Sequence, residues 1–246
     1  MRIEKSQALG RDIRREAPQD LGVSTWDGVR EAIREGNVGE ALAGIDYACA
    51  EAKAMHDSSV SLVDDVLTQL AKSAGEDEVY QLFRRRYEPL IRQWLVATPG
   101  VEESMQRAVE FQRGHFGETS VEEEADRYVV TCAPCGSGGR LRRTKKNLGR
   151  AEQPHDWTWN KPDMPLYCTH CAVMWEILPT ELTGHPIRIT LPPEQDTDPC
   201  VHLYYKDPAS IPQKYLDRVG NKRGQPAEAP LRFVPSAARK SGADGR

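Results

Sequence analysis

Two CxxC pairs constrain this chain more than anything else in it. Cys132 and Cys135 form the first; after a gap of 32 residues, Cys168 and Cys171 form the second. In a reducing compartment such pairs read as metal ligands or redox groups before disulfides. Zinc takes four thiolate or imidazole ligands in a tetrahedron, and each CxxC turn offers two thiolates to one ion. Gly136 follows the second cysteine, where a metal knuckle needs close approach of the backbone. The gap exceeds that of a usual zinc ribbon, which a loop insertion absorbs.

The donor set is wider than four. His170 lies inside the second pair, and "DPCVH" adds Cys200 and His202, which makes seven candidate ligands. A purely structural site needs four, so the surplus reads as spare core residues or as a site with an open coordination position. Cys132 and Cys200 flank expected strands. Cys200 and His202 share a face of theirs, because side chains alternate along a strand. The metal candidates are therefore Cys132, Cys135, Cys168, Cys171, Cys200 and His202, and the expected cofactor is zinc. Unmetallated buried thiols are the bland alternative. A redox dithiol fits less well, since neither pair opens a thioredoxin-like βαβ unit.

The rest of the chain places these motifs. Residues 1–22 are charged and lack apolar periodicity, which predicts a flexible arm. Ser24 offers an N-cap with Asp27 three residues on, so a short helix should follow and stop at Gly36. Apolar residues recur at helical spacing from about Val38 to Met55, and again through Leu62, Val63, Val66, Leu67 and Leu70. "HDSS", His56 to Ser59, should break the two. A helix from Val79 to Trp94 carries Pro89, which should kink it. A last helix from Val101 runs towards His115. These helices predict a helical domain over 23–123.

Near Asp126 the pattern changes. "RYVVT", "IRITL" and "VHLYY" read as strands and "AVMWEIL" as a short helix. The fold class expected is α+β: an N-terminal helical bundle followed by a small zinc-binding α+β domain over 124–220. Residues 221–246 are rich in Gly, Pro, Ala and Arg and predict a disordered tail.

"CGSGGRLRRTKK" lacks both the Lys-Ser/Thr ending of a phosphate loop and the spacing of a dinucleotide fold. Its glycines predict a tight turn, and its cations a solvated hairpin loop or an anion contact. Arg140, nearest the knuckle, could clamp a substrate carboxylate. His56 and His115 sit near helix ends, where imidazole is often a capping group. Their functional reading is proton transfer at the metal site.

Bulk properties narrow the partners. Net charge is −4 and the isoelectric point is near 5.9, which argues against a dedicated nucleic-acid binder. No apolar run approaches the roughly 20 residues that span a bilayer. The first residues lack the apolar core of a signal peptide, so the cytoplasm is the expected address. The partners expected are a small-molecule substrate, with a homodimer allowed, and neither membrane nor nucleic acid.

The order of parts resembles the aminothiazoline-carboxylate hydrolase family and the related 4-vinyl reductase domains. A strand ends in cysteine, a second cysteine cluster opens a helix, and "TDPCVHLYY" leads into the last strand. The likeness covers roughly residues 124–210. It implies a small α+β module for converting or binding a small molecule, with Cys135, Cys171 and Cys200 where such modules carry cysteines. The expected function is a zinc-dependent enzyme acting on a small polar metabolite, by metal-assisted hydrolysis or a related lyase step. Two alternatives stand beside it: a small-molecule sensor with structural zinc, and a zinc-ribbon nucleic-acid-binding protein.

Overall fold

The expected break at His56 to Ser59 does not occur. A single helix, α2, runs from Val38–Ala74. Asp and Ser cost a helix interior only about 0.5 kcal/mol each relative to alanine, and residues 56–59 include neither Gly nor Pro. The structure, a computed structural model, describes residues 3–14, 16–98 and 100–221. The chain is α+β. Its compact units divide between Ser58 and Ser59, so the later helices belong with the second sheet.

In the first unit, strands β1 (Ile3–Ser6) and β2 (Arg11–Arg14) pair antiparallel. The expected flexible arm is thus a hairpin. It is tied down where the Arg14 amide donates to the Tyr47 hydroxyl at 3.1 Å and its guanidinium donates to Thr25 at 2.9 Å. Helix α1 (Thr25–Arg34) starts at Ser24, whose hydroxyl accepts from the Trp26 amide at 3.3 Å. Val29, Ala32, Ala41, Tyr47 and Ala48 are its buried apolar residues.

In the second unit, α3 (Glu76–Ala97) and α4 (Val101–Gly114) precede a four-stranded antiparallel sheet. Pro89 lies inside α3. The sheet order is β3 (Thr119–Glu123), β4 (Arg127–Cys132), β6 (Cys200–Tyr205) and β5 (Ile189–Leu191). Between β4 and β5 come α5 (Gly138–Thr144), α6 (His170–Ala172), a π-helical turn (Val173–Ile177) and α7 (Leu178–Thr183). A short α8 (Gln213–Asp217) follows β6. The tail expected from 221 onward lies, apart from Asn221, outside the described residues.

Strand alternation divides the sheet into two faces. Val130, Cys132 and Tyr204 join the main core with α3, α4 and the π turn. Ile189, Leu203 and Tyr205 pack instead with Ile211 and Leu216 near α8. Helix α3 is fixed to α7 by a two-pronged Arg84–Glu181 ion pair at 2.8 and 2.7 Å. The Trp94 ring meets Trp175 of the π turn edge to face, centroids 4.9 Å apart. That packing anchors the helical stretch whose start carries Cys168 and Cys171.

Candidate metal and ligand cavity

The sheet register sets the first two thiols opposite each other: Cys132 ends β4 and its partner across the ladder is Cys200, the first residue of β6. One cavity of about 310 Å³ opens beside them, and its wall includes Cys135, Cys168, Cys171, Cys200, His170 and His202. These come from the turn after β4, the turn before α6, α6 itself and the start of β6. Trp159, Met164 and several prolines form the apolar part of the wall. Cys132 is fully buried, does not line the cavity, and lies 3.8 Å from His202 Nδ1.

The glycine run makes this approach feasible. A Cβ on Gly138 would fall 2.7 Å from Cys168 Sγ, and one on Gly139 would fall 3.0 Å from Cys135 Cβ. The run is therefore where α5 abuts two cysteines. The expected solvated basic hairpin is instead helix α5, and its cations turn inward. Arg142 is buried and donates to the carbonyls of Gln195 (3.2 Å) and Asp198 (3.4 Å) and to Cys200 Sγ (3.8 Å). Arg143 holds the carbonyls of Gly139 and Thr197. Lys145 pairs with buried Asp64 at 3.0 Å and with Asp65 at 2.5 Å. Arg150 spans the cavity rim between Asp163 and Asp196.

Arg140 does not line the cavity. Its guanidinium donates to the carbonyls of Phe116 (2.8 Å) and His115 (2.9 Å). His115 caps the C-terminus of α4, and His56 bonds Asp57 at 2.9 Å; neither lines the cavity. The histidines that do are His170 and His202. His170 Nδ1 meets the Tyr167 carbonyl at 2.6 Å, which makes Nδ1 the N–H donor and turns Nε2 to Cys171 Sγ at 3.6 Å. A metal-ligating histidine shows this same arrangement, with its second nitrogen fixed by a carbonyl.

Sequence reading missed Arg188 and Glu176. Arg188, 3% exposed, donates to Cys171 Sγ at 3.3 Å and to the Tyr204 hydroxyl at 3.5 Å, and stacks over Trp175 at 4.5 Å. Neither Arg188 nor Arg142 has a carboxylate in ion-pair reach among the described residues. Glu176, 1% exposed, accepts from Trp159 Nε1 (2.9 Å), the Thr190 amide (2.9 Å) and Arg218 (2.8 Å). It thereby holds Trp159 and Thr190, two wall residues, from behind. Trp159 takes a left-handed backbone, φ 55°, strained for so bulky a residue and stabilised by that bond. An acid inside the apolar "AVMWEIL" and an arginine inside "PIRIT" were the available signals.

The electrostatics follow from burial. Burial pushes the Cys171 thiol up, but His170 and Arg188 more than offset it and leave it lowered to about 7. Burial and the neighbouring Cys135 raise Cys200 to about 12. Burial and Cys200 hold Cys168 well above the usual thiol range, and burial with Cys135 does the same for Cys132. His202 is kept neutral by burial and by Arg188. Cys168 and Cys200 thus keep their protons near neutral pH unless a cation joins them, and a metal ion is the usual one. Two Cys–His pairs stand near enough for their members to share an ion. Among the described residues, however, no three His, Cys, Asp or Glu side chains converge on one ion position.

No family model, curated protein or solved structure matches this chain. No helix among the described residues is long and apolar enough to cross a membrane.

Proposed function

We propose that this cavity is the active site of a metal-dependent enzyme acting on a small polar metabolite by hydrolysis or a related lyase step. One observation carries the reading. Two buried guanidiniums, Arg188 and Arg142, donate to the sulfurs of Cys171 and Cys200, with no carboxylate among the described residues to neutralise them. An unpaired buried charge costs several kcal/mol. Cys171, lowered to about 7, supplies one counter-charge, and Cys200, raised to about 12, would supply the other once a bound metal displaces its proton. A set of thiolates in one wall is a soft-metal site, and zinc suits the donor types. A metal held there would polarise the substrate or activate water.

Cys135, Cys168, Cys171 and Cys200 are the metal contacts of this reading, and His170 and His202 the groups placed for proton transfer. Apolar walls around a few convergent polar groups suit a small molecule. Reduced thiols in this number favour a reducing compartment, the cytoplasm. The likeness to aminothiazoline-carboxylate hydrolases makes a small heterocyclic carboxylate the first substrate to try.

The test is binding and turnover of 2-aminothiazoline-4-carboxylate and a panel of small carboxylates and amides by metal-replete protein. Met164→Trp, which fills the cavity, should abolish both. The reading fails if nothing in the panel binds, or if binding is indifferent to the filled cavity.

A further inference from the structure

We infer that the cavity holds an iron–sulfur cluster, with Cys135, Cys168, Cys171 and Cys200 each capping a different iron, in place of a single zinc ion. This rests on the reading above that these thiols bind metal, and it names the cofactor.

The geometry points there through the placement of all four cysteines in the wall of one cavity. Zinc–sulfur bonds near 2.3 Å put two thiolates on one tetrahedral ion about 3.8 Å apart. Four sulfurs on one ion must all satisfy that spacing. Here the four cysteines come from three segments around one cavity of about 310 Å³: the turn after β4, the helical stretch with Cys168 and Cys171, and the start of β6. Among the described residues no three donors converge on a point. A cubane cluster needs the opposite arrangement: four thiolates facing a shared volume, each bound to its own metal atom.

The surroundings match the same occupant. All four cysteines are half-buried with their exposed part on the cavity, whereas Cys132 is sealed beneath it and Cys49 lies on the surface of α2. Gly138 and Gly139 leave no room for a Cβ beside Cys168 and Cys135, which keeps both thiols at the wall. Four thiolates around an oxidised cubane leave a net charge of about −2, which two guanidiniums balance. Arg188 and Arg142 are those guanidiniums, and they donate to two of the sulfurs. Hydrogen bonds to ligand sulfur and an apolar surround are the protein's levers on cluster potential. Trp159, Met164 and Pro165 supply the apolar surround.

The deciding experiment uses the full chain, produced and purified without oxygen and assayed for iron, acid-labile sulfide and zinc. About four iron and four sulfide per chain are expected, with a broad visible absorption that dithionite bleaches. Cys168→Ser and Cys200→Ser should lose that absorption, and Cys49→Ser should retain it. Should a ligand variant fail to fold, the parent stoichiometry still decides. One zinc per chain without sulfide overturns the cluster but leaves the metal-enzyme reading standing. Iron without sulfide does the same. Protein free of iron and zinc alike overturns both.

Discussion

The unit before Ser59 and the unit after it bury different kinds of residue. The first buries a few apolar side chains, one tyrosine and the neutral Thr25, and leaves Trp26, Ile33, Leu42 and Met55 largely exposed. The second buries Asp64, Arg140, Arg142, Glu176, Arg188 and His202 within a much larger apolar core. Burying apolar area stabilises in rough proportion to the area and tolerates change. Burying a charge stabilises nothing until its partner is in place. The first unit should therefore degrade gradually under mutation, and the second abruptly at a few positions.

Glu176 gives the largest test of that difference. Glu176→Gln leaves the Arg218 guanidinium, 2.8 Å from the lost charge, without a counterion. Breaking a buried pair in this way costs about 3–5 kcal/mol. Urea unfolding should show that loss, together with release of Trp159 into a more exposed fluorescence. A cost below about 1 kcal/mol would put the pair in the class of surface ion pairs and erase the contrast.

Gly138 comes next. In Gly138→Ala the new Cβ would lie 2.7 Å from Cys168 Sγ, so the thiol or the first turn of α5 must move. Overpacking of this kind costs about 1–3 kcal/mol. The variant should also bind less metal than the parent, because the displaced sulfur belongs to the cavity wall. Unchanged melting and unchanged metal content together would show that the glycine run has no part in placing the cysteine.

The two units also differ in how far the sequence disclosed them. In the first, Ser24 as N-cap and the stop at Gly36 follow from capping chemistry, and both are where the chain puts them. The hairpin over residues 3–14 escaped because four-residue strands with charged neighbours carry no apolar alternation. In the second, β4, β6 and a helical stretch over Ala172–Leu178 were legible from period and composition, though its π turn at Val173–Ile177 was not. The inward turn of the basic run was not. Arg142, Lys145 and Arg150 find their partners at Cys200, Asp64 and Asp196, tens of residues away, and periodicity is blind to such pairs. Arg188 was hidden for the same reason: its partner, Cys171, is a sulfur on another element.

In the first unit the expected effects are smaller. Ser24→Ala removes the hydroxyl that accepts from Trp26 and should cost about 1 kcal/mol. Tyr47→Phe removes the acceptor of the Arg14 amide and should cost about as much. Thermal melts should register both as modest shifts, with metal content unchanged. A loss from either as large as that of Glu176→Gln would mean that this unit too depends on buried polar partners.

The smallest effect is a pH dependence confined to the second unit. His185 is half-buried just after α7, with its Nδ1 3.2 Å from the Pro186 carbonyl. Burial lowers its pKa, and the carbonyl only partly restores it. In the unfolded chain a histidine titrates near about 6.5. Between that value and the lower folded one, the unfolded chain binds the extra proton first, so stability falls as the pH drops. Above about 6.5 both states are neutral and the contribution is fully present. His185→Gln removes this proton uptake. The gap in melting temperature between parent and variant should therefore stay level from about pH 8 to about pH 6.5 and narrow from there to about pH 5. His202, depressed in the same direction, is present in both proteins and cancels. A gap that stays constant across that range would mean that His185 meets water as freely in the folded chain as in the unfolded one.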